Sequence, residues 1–260
     1  MIKLIDEIDW KNKKQLVAKY LVPKILSEQK IKGEYTISST GTNLVCLFPE
    51  WVLKIYAPSV GRYKPKNDIA REIYLIEKLK CTNLVIPTIM GHGLVEMDFE
   101  YHYLLMTRLI IPPLKEQVLR NDLDVIKRVG ALVFEAMAEI NGVSADPTLG
   151  KQNSSCWSEN TYSKHCVVHG DLSEDNILYD GEQIAVIDFE DWMYTSIYAE
   201  YPALVFDLLR GNQAAIESFF SRPISMEFCN EIKQGINSHY RKQEYLNRIE
   251  QDGKLSWFSY

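Results

Sequence analysis

No stretch of the 260 residues approaches the ~18 consecutive apolar residues of a membrane-spanning helix. Cysteine is sparse and scattered. Cys46, Cys81, Cys156, Cys166 and Cys229 contain no CxxC pair. That excludes the usual zinc and dithiol frameworks and fits reduced thiols. His165 beside Cys166 has no companion ligand in the sequence and is taken as incidental. Internal repeats and low-complexity tracts are missing too, which excludes solenoid, collagen-like and coiled-coil classes. Positive charge is short in the second half. Residues 1–108 hold 16 Lys+Arg against 12 Asp+Glu, whereas residues 109–260 hold 13 against 23. Residues 151–208 hold 11 acids and only 2 Lys+Arg. A nucleic-acid partner wants the opposite balance. The acidity fits metal ions or a cationic small molecule, or simply a solvated surface. The opening MIKLIDEIDWKNKKQ has early acids and no apolar core, so it is no secretory signal and a cytoplasmic location is expected.

What is present is ordinary globular material: 46% hydrophobic and 25% charged residues. A chain this long buries roughly three quarters of its unfolded surface and needs no disulfides. Residues 11–29 carry Leu16, Val17, Tyr20, Leu21, Ile25 and Leu26 at helical spacing, with Pro23 as a kink or break. Three β-like runs follow at Tyr35–Ser39, Leu44–Phe48 and Trp51–Tyr56. Asp68–Lys80 is expected to be helical, with Asp68 as N-cap and Ile69, Ile73, Ile76 and Leu79 facing inward. Strands are expected near Gly93–Glu96 and at Tyr101–Leu109. After Pro112-Pro113 the pattern turns helical, with a core helix over Leu123–Asn141. Residues 142–164 are polar and form a loop or an irregular insertion. Short strands return at Cys166–His169, Ile177–Tyr179 and Ala185–Ile187. Helices are then expected at Ala199–Leu209, Ala214–Phe220 and Met226–Ile249. The fold class is therefore α+β in two lobes: a small antiparallel β lobe with one key helix over 1–108, and a larger helical lobe over 109–260.

The strongest chemical signal is VVHGDLSEDNILYDGEQIAVIDFED, Val167–Asp191. Asp171 and Asn176 stand five apart on one loop, and Asp188 follows the apolar strand Ala185–Ile187. Three such side chains at strand ends, facing one cleft, suit phosphoryl transfer from a magnesium nucleotide. One carboxylate takes the acceptor's hydroxyl proton, while an amide and a second carboxylate hold Mg²⁺. Asp175 and Asp180 are better explained as turn formers. The trio matches the pattern H-x-D-L-x-x-x-N followed by D-F-x.

This segment resembles the aminoglycoside phosphotransferase and choline kinase branch of the protein-kinase-like fold, and the resemblance extends over most of the chain. It implies a small-molecule kinase using Mg²⁺ and ATP or GTP. Asp171 would be the catalytic base, and Asn176 and Asp188 the metal ligands. STGTN, with Thr40 and Gly41, stands where the family's nucleotide loop runs. Lys54 in WVLKIY would pair with Glu72 in AREIYLIEKL and face the α- and β-phosphates. In YLLMTRL, Met106 would be the gatekeeper, and the backbones of Thr107 and Leu109 would bind adenine. The Arg that protein kinases carry before the catalytic Asp is Gly170 here, which implies a permanently formed site. Glu190 replaces the glycine of the metal motif, and Ser196 stands where a Gly-Asp pair is usual. Ile110-Ile111-Pro112-Pro113 replaces the hinge glycine.

The expected acceptor is a small cationic molecule, an aminoglycoside-like antibiotic first, gripped by Glu159, Glu190, Asp191 or Glu200. Each of these is better explained as an ordinary surface or structural acid, and Glu190 and Asp191, within three residues of Asp188, are the strongest candidates for substrate. Trp157 and Trp192 could stack on a ring or simply pack. Kinases of proteins or lipopolysaccharide sugars, and a pseudokinase interaction module, remain as alternatives.

Overall fold

The computed structural model describes residues 7–38, 41–59, 63–97, 99–117, 122–151, 165–252 and 257–258. The chain divides into two compact units. One comprises Met1–Ile76 and Pro87–Ile110, the other Glu77–Ile86 and Ile111–Tyr260. Segment Glu77–Ile86, which the 1–108 range included, thus belongs with the second unit.

The first unit is built on a five-stranded antiparallel sheet. Helix α1 (Glu7–Glu28) precedes β1 (Thr36–Ile37), β2 (Leu44–Leu47) and β3 (Trp51–Ile55). Helix α2 (Pro65–Leu79), β4 (Ile89–Glu96) and β5 (Glu100–Thr107) follow, and the strand order is β1-β2-β3-β5-β4. The period-2 alternation of strand side chains splits the apolar residues between the two sheet faces. Leu53, Ile55, Tyr101, Tyr103 and Leu105 join Trp10, Leu21, Val22 and Ile25 of α1 in one core. Tyr56, Leu104 and Met106 join Ile69 and Ile73 of α2 in a second. Two details differ from the sequence expectation. Leu16 and Tyr20 are exposed, because the buried stripe of α1 runs through Ala18, Leu21, Val22 and Ile25. Asp68 is no N-cap, since α2 starts three residues earlier with Pro65 at its first position. Asp68 instead pairs with Arg71 one turn on. Pro23 lies inside α1 without ending it.

The second unit opens with α3 (Leu114–Gln117) and α4 (Leu123–Asn141). Asp122 caps α4 by accepting from the backbone N–H groups of Asp124 and Val125. Val129, Val133, Met137 and Ile140 form its buried stripe. Strand β6 (His165–Val168) pairs with β9 (Met193–Ser196), and β7 (Ile177–Tyr179) pairs with β8 (Ile184–Val186). Strand β9 had no counterpart in the sequence reading. The helix expected over Ala199–Leu209 is instead a 3₁₀ turn, Ile197–Glu200, and a π-helical segment, Ala203–Leu208. Helix α5 (Gln213–Phe219) follows. The helix expected over Met226–Ile249 is two, α6 (Met226–Ser238) and α7 (Lys242–Asp252). Extended backbone at His239 separates them. Residues 142–151 form no helix or strand; the rest of the expected 142–164 loop lies outside the described residues.

Candidate active site

In the first unit, alternation along β3 turns Lys54 away from the α1 core and toward α2. There its ammonium lies 2.6 Å from Glu72 Oε2. The Tyr56 hydroxyl donates to the same oxygen at 2.5 Å. Both members of the ion pair are buried. An ammonium fixed this way is a positioned donor for phosphate oxygens. The loop before β2 is held from α1. Trp10 Nε1 donates to the Thr42 carbonyl at 2.8 Å, and Lys14 donates to the carbonyls of Gly41 and Asn43. Gly41 has φ +81°, a conformation that favours glycine, and a Cβ added there would meet open space. Thr40 lies outside the described residues. Met106 is buried in β5 opposite Val52. The Thr107 N–H is committed to the Thr88 carbonyl at 2.9 Å, so any adenine contact there falls to its own carbonyl. Leu109 is half-buried just beyond the strand.

In the second unit, β6 delivers the loop His169–Asn176, and buried polar groups fix its backbone. Glu200 accepts from the N–H groups of both His169 and Gly170. The His239 ring donates from Nε2 to the Gly170 carbonyl at 2.9 Å, while its Nδ1 accepts from the Arg241 N–H. The His169 ring bonds the Ile187 carbonyl through Nε2 at 3.0 Å, and its Nδ1 accepts from the Asp171 N–H. Those bonds assign both rings as neutral Nε2–H tautomers. Burial, helped by Arg241, lowers His239 to about 3. Burial raises the Glu200 carboxyl to about 7 against the pull of its two backbone donors. Gly170 has φ +83°, and a Cβ there would lie 2.5 Å from the Asp191 carbonyl oxygen.

This scaffold presents Asp171 with both carboxylate oxygens engaged. Asn176 Nδ2 donates to Oδ2 at 3.0 Å, and the Arg241 guanidinium reaches Oδ1 at 3.0 Å. Burial pushes Asp171 up to about 7; Arg241 pulls it down, and Asp191, Asp188 and Asp207 push it up. A carboxylate poised near neutrality suits a general base. The backbone N–H of Ile187 bonds the Asn176 carbonyl at 3.1 Å, tying this loop to the end of β8. The next residue, Asp188, sits in the left-handed region at φ 68°, ψ 62°. Non-glycine residues rarely hold that conformation, and it aims a side chain where a regular strand could not. With Nδ2 spent on Asp171, the side-chain oxygen of Asn176 is left for a cation. That oxygen and the Asp188 carboxylate are both hard oxygen donors, the type Mg²⁺ prefers.

A cavity of about 570 Å³ opens beside Asp171, lined also by Glu174, Asp175, Asp207, Arg210, Arg241 and Arg248. Of the acids expected to grip a cationic acceptor, Glu190, Asp191 and Glu200 are not among its described lining residues. Glu200 is fully buried and serves the loop backbone, which corrects its assignment as a substrate ligand. Asp191 is spent on Lys151 and on the Tyr240 hydroxyl. Glu190 sits in the 3₁₀ turn Phe189–Asp191, Trp192 is buried, and Glu159 and Trp157 lie outside the described residues. Sequence reasoning missed His239 and Arg241 altogether. The only local signal was a polar run, Ser-His-Tyr-Arg, hidden inside an otherwise helical pattern.

The model of the phosphotransferase enzyme family matches residues 151–215, the segment that holds the loop, Asp188 and Glu200. None of the curated protein sequences matches the chain. Solved structures do. An amicoumacin kinase in complex with AMP-PNP and Ca²⁺ is 13% identical, with 95% of this chain and 98% of that one aligned at TM-score 0.67. Wild-type aminoglycoside 2'-phosphotransferase-IIIa in its GDP complex is 13% identical, over 92% and 94% of the chains at TM-score 0.62. A choline/ethanolamine kinase family protein from Mesorhizobium loti is 11% identical, over 95% and 89% at TM-score 0.55. Over residues 151–215 the chain is thus similar to the phosphotransferase enzyme family, and its fold is the one found in the aminoglycoside phosphotransferases, amicoumacin kinase and the choline/ethanolamine kinase family protein.

Proposed function

We propose that the chain transfers the γ-phosphoryl group of a nucleoside triphosphate, ATP or GTP, to a hydroxyl of a small molecule. The observation that carries this reading is Asp171: a carboxylate raised to about 7 on a loop fixed by Glu200 and His239, beside a cavity large enough for a small acceptor. Asp171 accepts the acceptor's proton as the oxygen attacks phosphorus. Arg241 and Asn176 hold that carboxylate in place. Lys54, steadied by Glu72 and Tyr56, binds the α- and β-phosphates. Asn176 and Asp188 are the residues that would hold Mg²⁺, which neutralises charge on the phosphate oxygens when bound. Fold relatives were solved with GDP, AMP-PNP and ADP, which supports a nucleotide donor. Several were solved with kanamycin, hygromycin B or streptomycin as well, so aminoglycosides open the panel of acceptors to test. The test is ADP release by the purified chain with Mg-ATP across aminoglycosides, amino alcohols, hydroxy acids and sugars. Acceptor-dependent ADP and a phosphorylated small-molecule product are expected. Tight Mg-ATP binding without turnover of any acceptor would overturn the reading in favour of a pseudokinase.

A further inference from the structure

The cavity beside Asp171 holds three guanidinium groups, Arg210, Arg241 and Arg248. Its four carboxylates are already matched. Asp171 has one oxygen on Asn176 and the other on Arg241. Asp207 has Oδ1 on Arg248 and Oδ2 on the Tyr245 hydroxyl at 3.1 Å, with Arg241 at 3.6 Å from the same oxygen. Glu174 meets Arg210, and Asp175 meets Lys115. A cationic acceptor reaching Asp171 or Asp207 would meet carboxylates whose two oxygens are both already engaged.

The donors are in the opposite condition. A guanidinium carries five N–H donors. Among the described residues, Arg210 spends NH2 on Glu174 and Arg248 spends NH1 on Asp207. Their side chains are 74% and 41% exposed, so the remaining donors face open space. Arg210 also stands at φ +51°, followed by Gly211 at φ +70°. A bulky residue in the left-handed region is costly and points to a functional constraint. The Gly211 N–H bonds the Val205 carbonyl at 2.9 Å, which fixes this turn against the π-helical segment.

We propose that the acceptor carries an anionic oxygen group, a carboxylate or phosphate, and that Arg210 and Arg248 bind it while its hydroxyl lies at Asp171. This names the substrate class of the phosphotransferase reading and rests on it. It departs from the cationic acceptor expected from the acidic second half and the family resemblance. Two guanidinium forks on separate elements fix both the position and the orientation of such a group. Selectivity then works by rejection as well as attraction, since a polyamine would meet three guanidiniums beside four carboxylates that already have cationic partners.

The experiment uses the full chain with Mg-ATP and acceptors in matched sets: hydroxy acids, sugar phosphates, and amino alcohols or aminoglycosides without an anionic group. Turnover of an anionic set is expected, and the two anionic sets distinguish carboxylate from phosphate. Arg248→Gln and Arg210→Gln should each raise the acceptor KM by about tenfold or more, the loss of one charge-assisted hydrogen bond, while Mg-ATP affinity stays unchanged. Turnover confined to acceptors without an anionic group, or an acceptor KM unmoved in both variants, would overturn the proposal and leave the phosphotransferase reading standing. No turnover of any set by a chain that binds Mg-ATP would remove both.

Discussion

Glu200→Ala should destabilise the second unit by about 2–4 kcal/mol and lower kcat with it. Glu200 is fully buried, and its two oxygens accept the N–H groups of His169 and Gly170. Alanine leaves both donors buried without partners, at roughly 1–3 kcal/mol each. Relief from burying a carboxylate offsets part of that loss, which puts the net in the lower part of the range. The activity should suffer too, because those N–H groups precede Asp171 by one and two residues. Glu200→Gln keeps one accepting oxygen but turns an NH₂ group on the other N–H, so an intermediate loss is expected. Urea unfolding followed by tryptophan fluorescence reads the stability, and acceptor-dependent ADP release reads the kinetics. An alanine variant with an unchanged urea midpoint and unchanged kcat would show that Glu200 does not hold the loop. A raised acceptor KM alone, with stability and kcat intact, would return Glu200 to the substrate-binding role that the structure takes from it.

His239 gives a pH signature. Its folded value near 3 lies below the ordinary 6.5, so stability falls as pH drops from about 6.5 toward 3, by at most ~1.4 kcal/mol per pH unit. Glu200, raised from 4.5 to about 7, has the opposite sense: its contribution is fully present below 4.5 and is lost as pH rises through 7. His239→Gln keeps a donor for the Gly170 carbonyl, so the variant should lose less stability than the parent between pH 7 and pH 5; equal losses in urea titrations would remove His239 from the account. Gly170→Ala combines a left-handed φ with a 2.5 Å clash and should cost more than Gly181→Ala, where φ is +106° and no atom lies within 4 Å of the added Cβ. Equal melting temperatures for those two variants would contradict the packing described around the loop. Lys54→Met should weaken Mg-ATP binding at least about tenfold in calorimetry, since a positioned charged donor is lost; unchanged affinity would take Lys54 out of the nucleotide site.

The sheet of the first unit was legible because β2, β3 and β5 are short runs rich in β-branched, aromatic and aliphatic residues, and Lys54 is the one charged residue within β3. The stripe Val129, Val133, Met137, Ile140 made α4 equally plain. Strand β9 escaped because Met-Tyr-Thr-Ser has little alternation of its own; its pairing with β6 closes it. The break at His239 was hidden because helical spacing resumes at Tyr245. What decides the break is tertiary: one ring satisfies the Gly170 carbonyl, and two residues later Arg241 reaches Asp171. The acidity of residues 151–208 says little about the site for a related reason. Charge counted along a chain does not reveal that Glu200 is buried against backbone donors or that Asp191 is spent on Lys151 and Tyr240. Nor does it show that arginines from far along the chain line the cavity.

Asp171→Ala tests the central claim most directly. If Asp171 is the base that receives the acceptor's proton, its loss should lower kcat by ~10²–10⁴-fold. Mg-ATP affinity should change little, because in the proposed reading Lys54, Asn176 and Asp188, not Asp171, would hold the nucleotide and its metal. Calorimetry on the nucleotide and ADP release with the acceptor separate the two quantities on one protein sample. A large fall in kcat at nearly constant nucleotide affinity is the predicted result. Near-normal turnover in the variant would contradict the assignment of the loop as catalytic.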